Sequence, residues 1–423
     1  MPSLKNRFQW VDIPALGFVC VLVFSLALLG ADAVGSSLLI SSLTLSLFIV
    51  SVLLIPSMSF KPWVFVYLTA WTALVAVHYL TGRTVDAEQE YLMLLTGGCC
   101  FWVGRYSALT RRRRARVFRI LSIFSLIFGI YSIDPYSVLA HAKLYHKDRL
   151  TGTFLSANTM ATFSGMLFLF ATFRFLKRLQ SEADAGIGSA LMRAAVKSPV
   201  SVSAAVTLSA CILLTGSRAG TFCVVLALAV LFLAFAVLLR SDPRSKALSS
   251  PMAMCVGFVC LVGAGSALWL LWGGGLEDRL ESMDDDFQGR SAMLAASWRA
   301  GVLEPYLGHG LDGLRYAKLI VSTPSTNEDI ISQNAAHNLF AQWFVQAGWP
   351  GLVGLFTVIV GAVWRCLRSQ SSILTIGFQL SILTLVLVHG LFDYALEIPS
   401  VFLLLSFLVG LSVSPRANIR RDQ

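Results

Sequence analysis

Long apolar runs make up most of the chain, and short polar or charged stretches separate them. The runs show no strand-like alternation of apolar and polar positions, so they predict helices. A helix of about 20 apolar residues crosses the ~30 Å hydrocarbon core of a bilayer. Only helices or closed barrels satisfy the backbone hydrogen bonds inside that core. The pattern therefore predicts an all-α polytopic membrane protein.

The same pattern predicts about twelve transmembrane helices. Lys5 and Arg7 before the first run would also suit a secretory signal peptide. The apolar run that follows is long for such a signal, so we keep it as the first span. The predicted spans are residues 11–29, 35–55, 62–80, 91–108, 117–133, 157–176, 199–215, 219–239, 252–272, 350–366, 372–391 and 398–413.

The spans divide the chain into three predicted regions. Residues 1–272 hold the first nine spans, and residues 350–423 hold the last three with a cytoplasmic tail. Between them, residues 273–349 leave the apolar pattern and become mixed and charged. This middle region is predicted to be a long loop domain with short helices of its own.

Charge then predicts the orientation. Only 13% of the residues are charged, against about 25% in soluble domains. With the N-terminus in the cytoplasm, the cytoplasmic side holds 23 of the 33 lysines and arginines but 5 of the 23 acids. This is the positive-inside pattern of membrane proteins. The net charge of +10 therefore reflects the orientation of the protein in the membrane and does not indicate nucleic-acid binding.

The long loop is predicted to contain a few ordered pieces. Residues 276–286 are acidic and are expected to be irregular. Residues 289–302 are predicted to form a helix, because apolar side chains recur at i, i+4 spacing, and Glu304-Pro305 should end it. Residues 308–313 contain three glycines, which tolerate positive φ, so a tight loop is expected. His337 should open the next helix.

Two arginines on the outward side are candidates for binding an anion. Arg218 lies between two glycines in a three-residue turn before a span, where the N–H groups of a helix start also point at an anion. It could instead reach back to the membrane interface. Arg290 could face the same anion, or pair with the acidic run Asp284-Asp285-Asp286.

Histidines and acids give further candidates. His337 could take a proton near neutral pH, although a lone histidine is more often a hydrogen-bonded structural residue. Arg149 and His309 lie in short outward loops and are weaker candidates. Asp393 and Glu397 could act as acids or bases, but we expect them to pair with outward arginines and hold the loop. We interpret the Asp284–Asp286 run as solvated acids, so no metal site is predicted.

Four short motifs lie in order on the predicted outward side, within residues 145–395. The motifs are Arg149…Gly152…Phe154…Asn158 (R-x-x-G-x-F-x-x-x-N), Thr215-Gly216-Ser217-Arg218-Ala219-Gly220 (T-G-S-R-x-G), Gly308-His309-Gly310 (G-H-G), and His337-Asn338…Gly348…Gly351 (H-[NSQ]-x9-G-x-x-G). Together they resemble the O-antigen ligase family, within the wider group of O-antigen polymerases and O-linked oligosaccharyltransferases.

The resemblance implies a GT-C-like fold with a periplasmic loop, in the inner membrane of a Gram-negative bacterium. It also implies an inverting transfer, without metal or cofactor, of O-antigen polysaccharide from undecaprenyl pyrophosphate to a sugar hydroxyl of lipid A–core. Its partners would be that donor, that acceptor and membrane lipids, with no nucleic acid. With these motifs we assign catalysis to His337, Arg218 and Arg290, and substrate binding to Arg218, Arg290, Arg149, His309 and Asn338. Arg290 lies outside the four motifs and is included as the second cation that could face the same anion.

Two other functions remain open at the level of sequence. An O-antigen polymerase or a protein O-oligosaccharyltransferase would use the same residues with another acceptor. A flippase for lipid-linked sugars is the alternative from a different class. Proton-coupled transporters usually carry acids at mid-membrane, and the interiors of the predicted spans contain no Asp or Glu. That pattern favours a transferase.

Overall fold

The computed structural model of the chain describes most of the predicted helical regions. The described residues are 13–28, 30, 33–54, 62–83, 87–133, 145–146, 149–182, 184, 186–241, 283–323, 335–368 and 371–413. The predicted ninth span, residues 252–272, lies outside them.

Helices dominate the described residues, which confirms the predicted all-α class. One antiparallel pair of two-residue strands, β1 (Tyr145–His146) and β2 (Arg149–Leu150), and a 3-10 turn at Ala395–Glu397 accompany them. The helices are α1 (Ile13–Ala27), α2 (Val34–Leu54), α3 (Pro62–Leu80), α4 (Glu88–Ser107), α5 (Arg111–Ile133), α6 (Ala157–Ser181), α7 (Ile187–Lys197), α8 (Pro199–Leu214), α9 (Arg218–Ser241), α10 (Met283–Leu303), α11 (Leu314–Val321), α12 (Leu339–Leu367), α13 (Ile373–His389) and α14 (Pro399–Ser412).

Several described helices have the length and composition of membrane spans. Five of them, α2, α5, α6, α9 and α12, are long and apolar enough to cross a bilayer by themselves. The bent pair α7 and α8 would make a sixth if it forms one span. Shorter apolar helices include α1, α13, α14 and most of α3. This is the composition of a polytopic membrane protein, and the number of twelve spans stays a prediction.

Helix α6 is the centre of the bundle. In its apolar window 89% of the residues are buried, which is the deepest burial among the candidate spans. Gly165 of α6 has no room for a Cβ atom, because Val224 of α9 and Leu385 of α13 fill that space. Ala234 of α9 in turn lies against Gly377 of α13. These two contacts show that α9 and α13 pack tightly against each other and run antiparallel.

The loop helix α10 is longer than predicted. It begins at Met283 rather than at residue 289, so the expectation of irregular backbone up to residue 286 was wrong for its last residues. Three acids follow Met283 in the first turn, where negative charge interacts favourably with the helix dipole. The prediction used only the spacing of apolar residues and therefore missed this stabilisation. The predicted end is confirmed, because α10 ends at Leu303.

The predicted tight loop at residues 308–313 is also confirmed. Gly308 and Gly310 have φ of 66° and 90°, and Asp312 adopts 62° although it has a side chain. The backbone N–H groups of His309 and Gly310 donate to the carbonyls of Val345 and Gln346 at 2.7 and 3.0 Å. The loop is therefore hydrogen-bonded to α12.

Helix α12 starts well before the predicted span at 350–366. It begins at Leu339 and changes direction at Gly348, whose φ of 62° and ψ of −160° are not helical. At this break the Trp349 N–H donates to the Pro305 carbonyl at 2.8 Å. A Cβ atom on Gly348 would collide with Pro305, so glycine is needed there. The break divides α12 into a segment beside the loop and an apolar segment.

Helix α7 was not predicted at all. It lies between the sixth and seventh predicted spans and meets α8 at an angle of 93°. Its apolar side chains are interrupted by polar residues, so no long apolar run marked it in the sequence. The prediction searched for helices long enough to cross a bilayer, and an eleven-residue helix was below that length.

Candidate functional site

His337 lies immediately before α12 in a constrained backbone. Its φ is 48°, in the left-handed region that is uncommon for residues other than glycine. The next residue, Asn338, caps α12, because its Oδ1 accepts hydrogen bonds from the N–H groups of Phe340 and Ala341, each at 3.0 Å. This N-cap marks the start of α12, so His337 lies just outside the helix. The sequence expectation that a helix opens here is confirmed.

A buried carboxylate lies beside the His337 ring. Asp393 Oδ1 is 3.6 Å from His337 Nδ1, and only 1% of the Asp393 side chain is exposed. Of the His337 side chain, 21% is exposed, and the Tyr394 ring packs edge-on at 5.1 Å between centroids. The separation is that of an ion pair and is longer than a good hydrogen bond. The imidazole therefore has a buried carboxylate at Nδ1 and partial access to the surface.

The expectation that Asp393 and Glu397 pair with arginines was wrong. Asp393 lies next to His337, and Glu397 Oε2 accepts a hydrogen bond from Gln346 Nε2 at 3.3 Å. Sequence reasoning expected cationic partners because an acid near the membrane surface is stabilised by an opposite charge, and several arginines lie on the predicted outward side. The fold instead brings the start of α12 next to the end of α13, and neither residue pair is close in sequence.

A second histidine lies behind Asp393. His389 Nδ1 is 2.6 Å from Thr162 Oγ1, which is also 3.2 Å from the Asn158 carbonyl oxygen. His389 Nε2 and both Asp393 carboxylate oxygens are buried and have no hydrogen-bond partner among the described residues. His389, Asp393 and Thr162 line one small cavity of about 10 Å³, which is enough for one water molecule. Sequence reasoning assigned no role to His389 or Thr162.

Arg149 joins two of the motif stretches. Its Nε donates to the Thr215 carbonyl at 2.8 Å, and its Nη2 donates to Asn158 Oδ1 at 3.3 Å. Ser217 Oγ donates to the same Asn158 oxygen at 2.8 Å. Gly216, with φ of 57°, makes the turn between α8 and α9. The two motifs therefore form one hydrogen-bonded unit, and Arg149 supports the turn that presents Arg218.

Arg218 is the first residue of α9, and its side chain is exposed. Val224 of α9 and Leu385 of α13 lie at the same level along the bundle axis, because both pack against Gly165 of α6. At 1.5 Å per residue, Arg218 is about 9 Å beyond that level and His389 is about 6 Å beyond it. Arg218 therefore lies at nearly the depth of His389. We call this end of the bundle, where α9 begins and α13 ends, the site end.

Arg290 and Asn338 both reach the segment that follows α13. Arg290 Nη1 is 3.5 Å from the Phe392 carbonyl oxygen, and Asn338 Nδ2 donates to the Leu391 carbonyl at 3.0 Å. The Leu339 N–H donates to the Gly390 carbonyl at 2.6 Å. Residues 390–393 thus connect α10, α12 and α13. Arg290, Asn338 and His337, which are predicted site residues, all contact this segment or its Asp393.

His309 occupies a different place. Its Nε2 donates to the Ala300 carbonyl at 2.8 Å, and its backbone N–H donates to the Val345 carbonyl. These bonds fasten α10 to α12. The structure gives His309 a role in holding the loop together, and its predicted part in substrate binding stays a prediction.

Three acids that sequence reasoning did not connect lie close to one another. Burial raises the pKa of Glu90 to about 8, and the charge of Asp312 contributes to that rise. Burial likewise raises the pKa of Glu397 to about 7, again with a contribution from Asp312, while the hydrogen bond from Gln346 opposes it. The Asp312 carboxylate also pairs with Arg315 Nε at 3.1 Å. The three residues come from separate parts of the chain, so no motif could reveal them.

These raised pKa values predict a pH-dependent stability. The folded protein keeps protons on Glu90 and Glu397 that the unfolded chain releases above the ordinary value of 4.5. The stabilising contribution is fully present below about pH 4.5 and is lost as the pH rises through the folded values, so the free energy of unfolding falls. We expect the melting temperature to decline from about pH 5 to pH 8. Glu90→Gln and Glu397→Gln should flatten that decline in thermal melts, and an unchanged slope in both variants would contradict the assignment.

The described residues contain no group of three His, Cys, Asp or Glu side chains arranged to hold a metal ion. The side chains of Asp284, Asp285 and Asp286 lie outside the described set. The groups that the site does present are cationic arginines, imidazoles and one buried carboxylate. Such a set can bind an anion and accept a proton.

Comparison with known proteins agrees with the motifs. Residues 203–356 match a family model described as O-antigen ligase. The matched stretch contains Arg218, Arg290, His309, His337 and Asn338. No match was found among curated proteins. The match to residues 203–356 shows that the chain resembles the O-antigen ligase family over the stretch that holds both candidate arginines and the candidate base.

Proposed function

We propose that the protein is an O-antigen ligase of the Gram-negative inner membrane, with its site facing the periplasm. It transfers O-antigen polysaccharide, with inversion, from undecaprenyl pyrophosphate to a sugar hydroxyl of lipid A–core. The observation that carries the proposal is the meeting of His337, Arg290 and Asn338 at residues 390–393, with Arg218 at a similar depth. The family match supports a glycosyltransferase of this group.

The two arginines suit a pyrophosphate leaving group. A bond forms between the acceptor oxygen and the anomeric carbon, while the bond from that carbon to the phosphate oxygen breaks. The electron pair of the broken bond leaves with undecaprenyl pyrophosphate, on which negative charge grows. Guanidinium groups stabilise such charge with two parallel, charge-assisted hydrogen bonds. We assign this role to Arg218 and Arg290, and a supporting role to Arg149 through the turn.

His337 is the proposed base. It takes the proton of the acceptor hydroxyl as the oxygen attacks, and becomes an imidazolium. The Asp393 carboxylate, 3.6 Å from Nδ1 and almost fully buried, stabilises that cation more than exposed acids could. Asp393 is thus a positioning residue that acts through His337. Asn338 keeps the ring in place by capping α12, and its proposed contact with substrate would be through the exposed part of the amide.

Asp393→Asn should therefore lower turnover by about 10- to 100-fold, the size of one lost charge-assisted contact. Donor binding should stay near wild-type, because Asp393 carries no positive charge for pyrophosphate. Asp393→Glu should recover part of the rate. Single-turnover transfer and donor binding, measured side by side, test this. Equal losses of binding and rate in the Asn variant would show a merely structural role.

Transfer should not depend on a divalent cation. Arg218 and Arg290 supply the charge that Mg²⁺ provides in many phosphate enzymes. Turnover should survive EDTA at wild-type rate in detergent. A loss of turnover on chelation that Mg²⁺ reverses would contradict this and would point to the acids at the start of α10.

The function itself is tested by reconstitution. Purified protein in detergent is given lipid-linked O-antigen together with lipid A–core, and the glycan product is followed by its radiolabel. A ligase transfers label to lipid A–core. Label that stays on longer undecaprenyl-linked chains would indicate a polymerase, and label on a protein hydroxyl would indicate an oligosaccharyltransferase. A flippase would leave the substrate unchanged, since detergent removes the compartments that it serves.

A further inference from the structure

The loop helix α10 faces outward with its large apolar residues. Leu294, Trp298 and Val302 lie along one stripe of α10, and all three are exposed. The inward face carries Met293 and the small side chains of Ala296, Ser297 and Ala300. A helix at the surface of a water-soluble domain presents mainly polar residues on its outer face. The sequence spacing that predicted this helix was therefore correct, but the apolar stripe does not face the protein core.

Helix α11 also presents large apolar side chains outward. Tyr316, Leu319 and Ile320 are exposed, and 67% of Ile320 is accessible. Its buried side holds Leu314, Ala317 and the charged Lys318. Two neighbouring helices of one loop thus present apolar side chains outward. We call the six exposed residues Leu294, Trp298, Val302, Tyr316, Leu319 and Ile320 the apolar shelf.

The apolar shelf continues into a helix that has the properties of a membrane span. The Trp298 ring lies 6.2 Å from the Trp349 ring, edge-on, and 4.9 Å from the Phe344 ring. Trp349 is followed by the exposed Val353 and Phe356 of α12. Only 11% of the apolar window of α12 is buried within the protein, the smallest share among the candidate spans. The surface is therefore continuous from the exposed span to the loop.

We propose that the apolar shelf is embedded in the lipid bilayer at the site end, packed against acyl chains just below the headgroups. Lipid is the solvent that suits an apolar helix face that runs without interruption into a lipid-exposed span. Tryptophan and tyrosine are enriched at this depth, because their rings are apolar and their N–H and O–H groups are polar. The shelf carries one of each, at Trp298 and Tyr316.

The embedded shelf sets the depth of one site residue. Arg290 precedes Leu294 by one turn of α10, about 6 Å along the axis. A helix held in the lipid by Leu294 and Trp298 keeps Arg290 at the headgroup level. This consequence rests on the proposed function, because a lipid-linked pyrophosphate lies at that level. The contact between the shelf and lipid does not rest on it.

Photo-crosslinking of the full-length protein in liposomes tests the lipid contact. Benzoylphenylalanine replaces Trp298 or Ile320 on the shelf, or Arg299 as the control, and vesicles of phosphatidylethanolamine and phosphatidylglycerol supply the lipid. Arg299 is exposed and adjacent to Trp298, but it is turned by about 100° around α10. After irradiation, mass spectrometry identifies what each position has bound. Thermal melting selects variants that are folded.

We expect phospholipid adducts at positions 298 and 320, several-fold more abundant than at position 299. Adducts with residues 252–272 would show that another segment of this chain covers the shelf, and adducts joining two chains would show an interface between copies. Either result overturns the proposal, as would equal labelling at all three positions or no lipid adducts. The readout needs no glycan transfer, so failure of the proposed function leaves it unaffected.

Discussion

Replacing His337 with alanine should slow glycan transfer by roughly 10²- to 10⁴-fold, the usual contribution of a positioned general base. Donor binding should remain near wild-type, because the neutral imidazole does not neutralise the pyrophosphate. The site geometry explains the size of the effect, because His337 has a buried carboxylate near Nδ1 and a partly exposed ring. Turnover and donor binding, measured on the same preparation, test the prediction.

Asn338→Ala is the matched control for the local structure. It removes the α12 cap, at a cost of about 1 kcal/mol in stability, but leaves the imidazole. Its loss of turnover should be much smaller than that of His337→Ala. Normal turnover in His337→Ala would eliminate the proposed base. A loss of the same size in both variants would show that His337 only shapes the start of α12.

Replacing Arg218 or Arg290 should weaken donor binding as well as turnover, unlike the replacement of His337. In each of the variants Arg218→Lys and Arg290→Ala, the two effects combined should lower kcat/KM by roughly 10²-fold or more. Binding falls because the ground-state pyrophosphate already carries negative charge. The conservative Lys variant should also fail, because an ammonium group lacks the planar pair of donors. Equilibrium binding of the lipid-linked donor and single-turnover rates separate the two effects.

Arg299→Ala is the control for charge on α10. Arg299 is exposed on the same helix as Arg290, and its Nη2 lies 3.5 Å from the Val321 carbonyl oxygen, at α11. Arg299→Ala changes the net charge by the same amount as Arg290→Ala but leaves the proposed anion site intact. It should bind donor and turn over like the wild type. Near-wild-type behaviour of both Arg218→Lys and Arg290→Ala would remove the anion site from the mechanism.

Local patterns of the sequence determined much of this protein. Apolar runs of spanning length predicted helices, because backbone in lipid must satisfy its hydrogen bonds within the helix. Glycines predicted the tight loop at residues 308–313, where φ is positive at Gly308 and Gly310. The short motifs pointed to His337 and Arg218, and the predicted loop helix added Arg290, before any contact was known. Each of these features depends on residues that are close in sequence.

The tertiary structure alone decided which distant residues meet. The pairing of His337 with Asp393, the contact of His389 with Thr162 and the proximity of Glu90, Asp312 and Glu397 all join separate segments. No periodicity along the chain records such contacts, because they follow from how α4, α6, α12, α13 and the loops between the helices pack.

The direction of the apolar stripe on α10 was also decided by the tertiary structure. Helical spacing shows that Leu294, Trp298 and Val302 share one face, but it does not say what that face meets. In water the apolar face turns inward, whereas beside a lipid-exposed span it can turn outward at no cost in hydration. The sequence by itself therefore determined the helices and their amphipathic faces. The packing around each helix decided its partners, because that choice depends on which surfaces neighbouring segments leave uncovered.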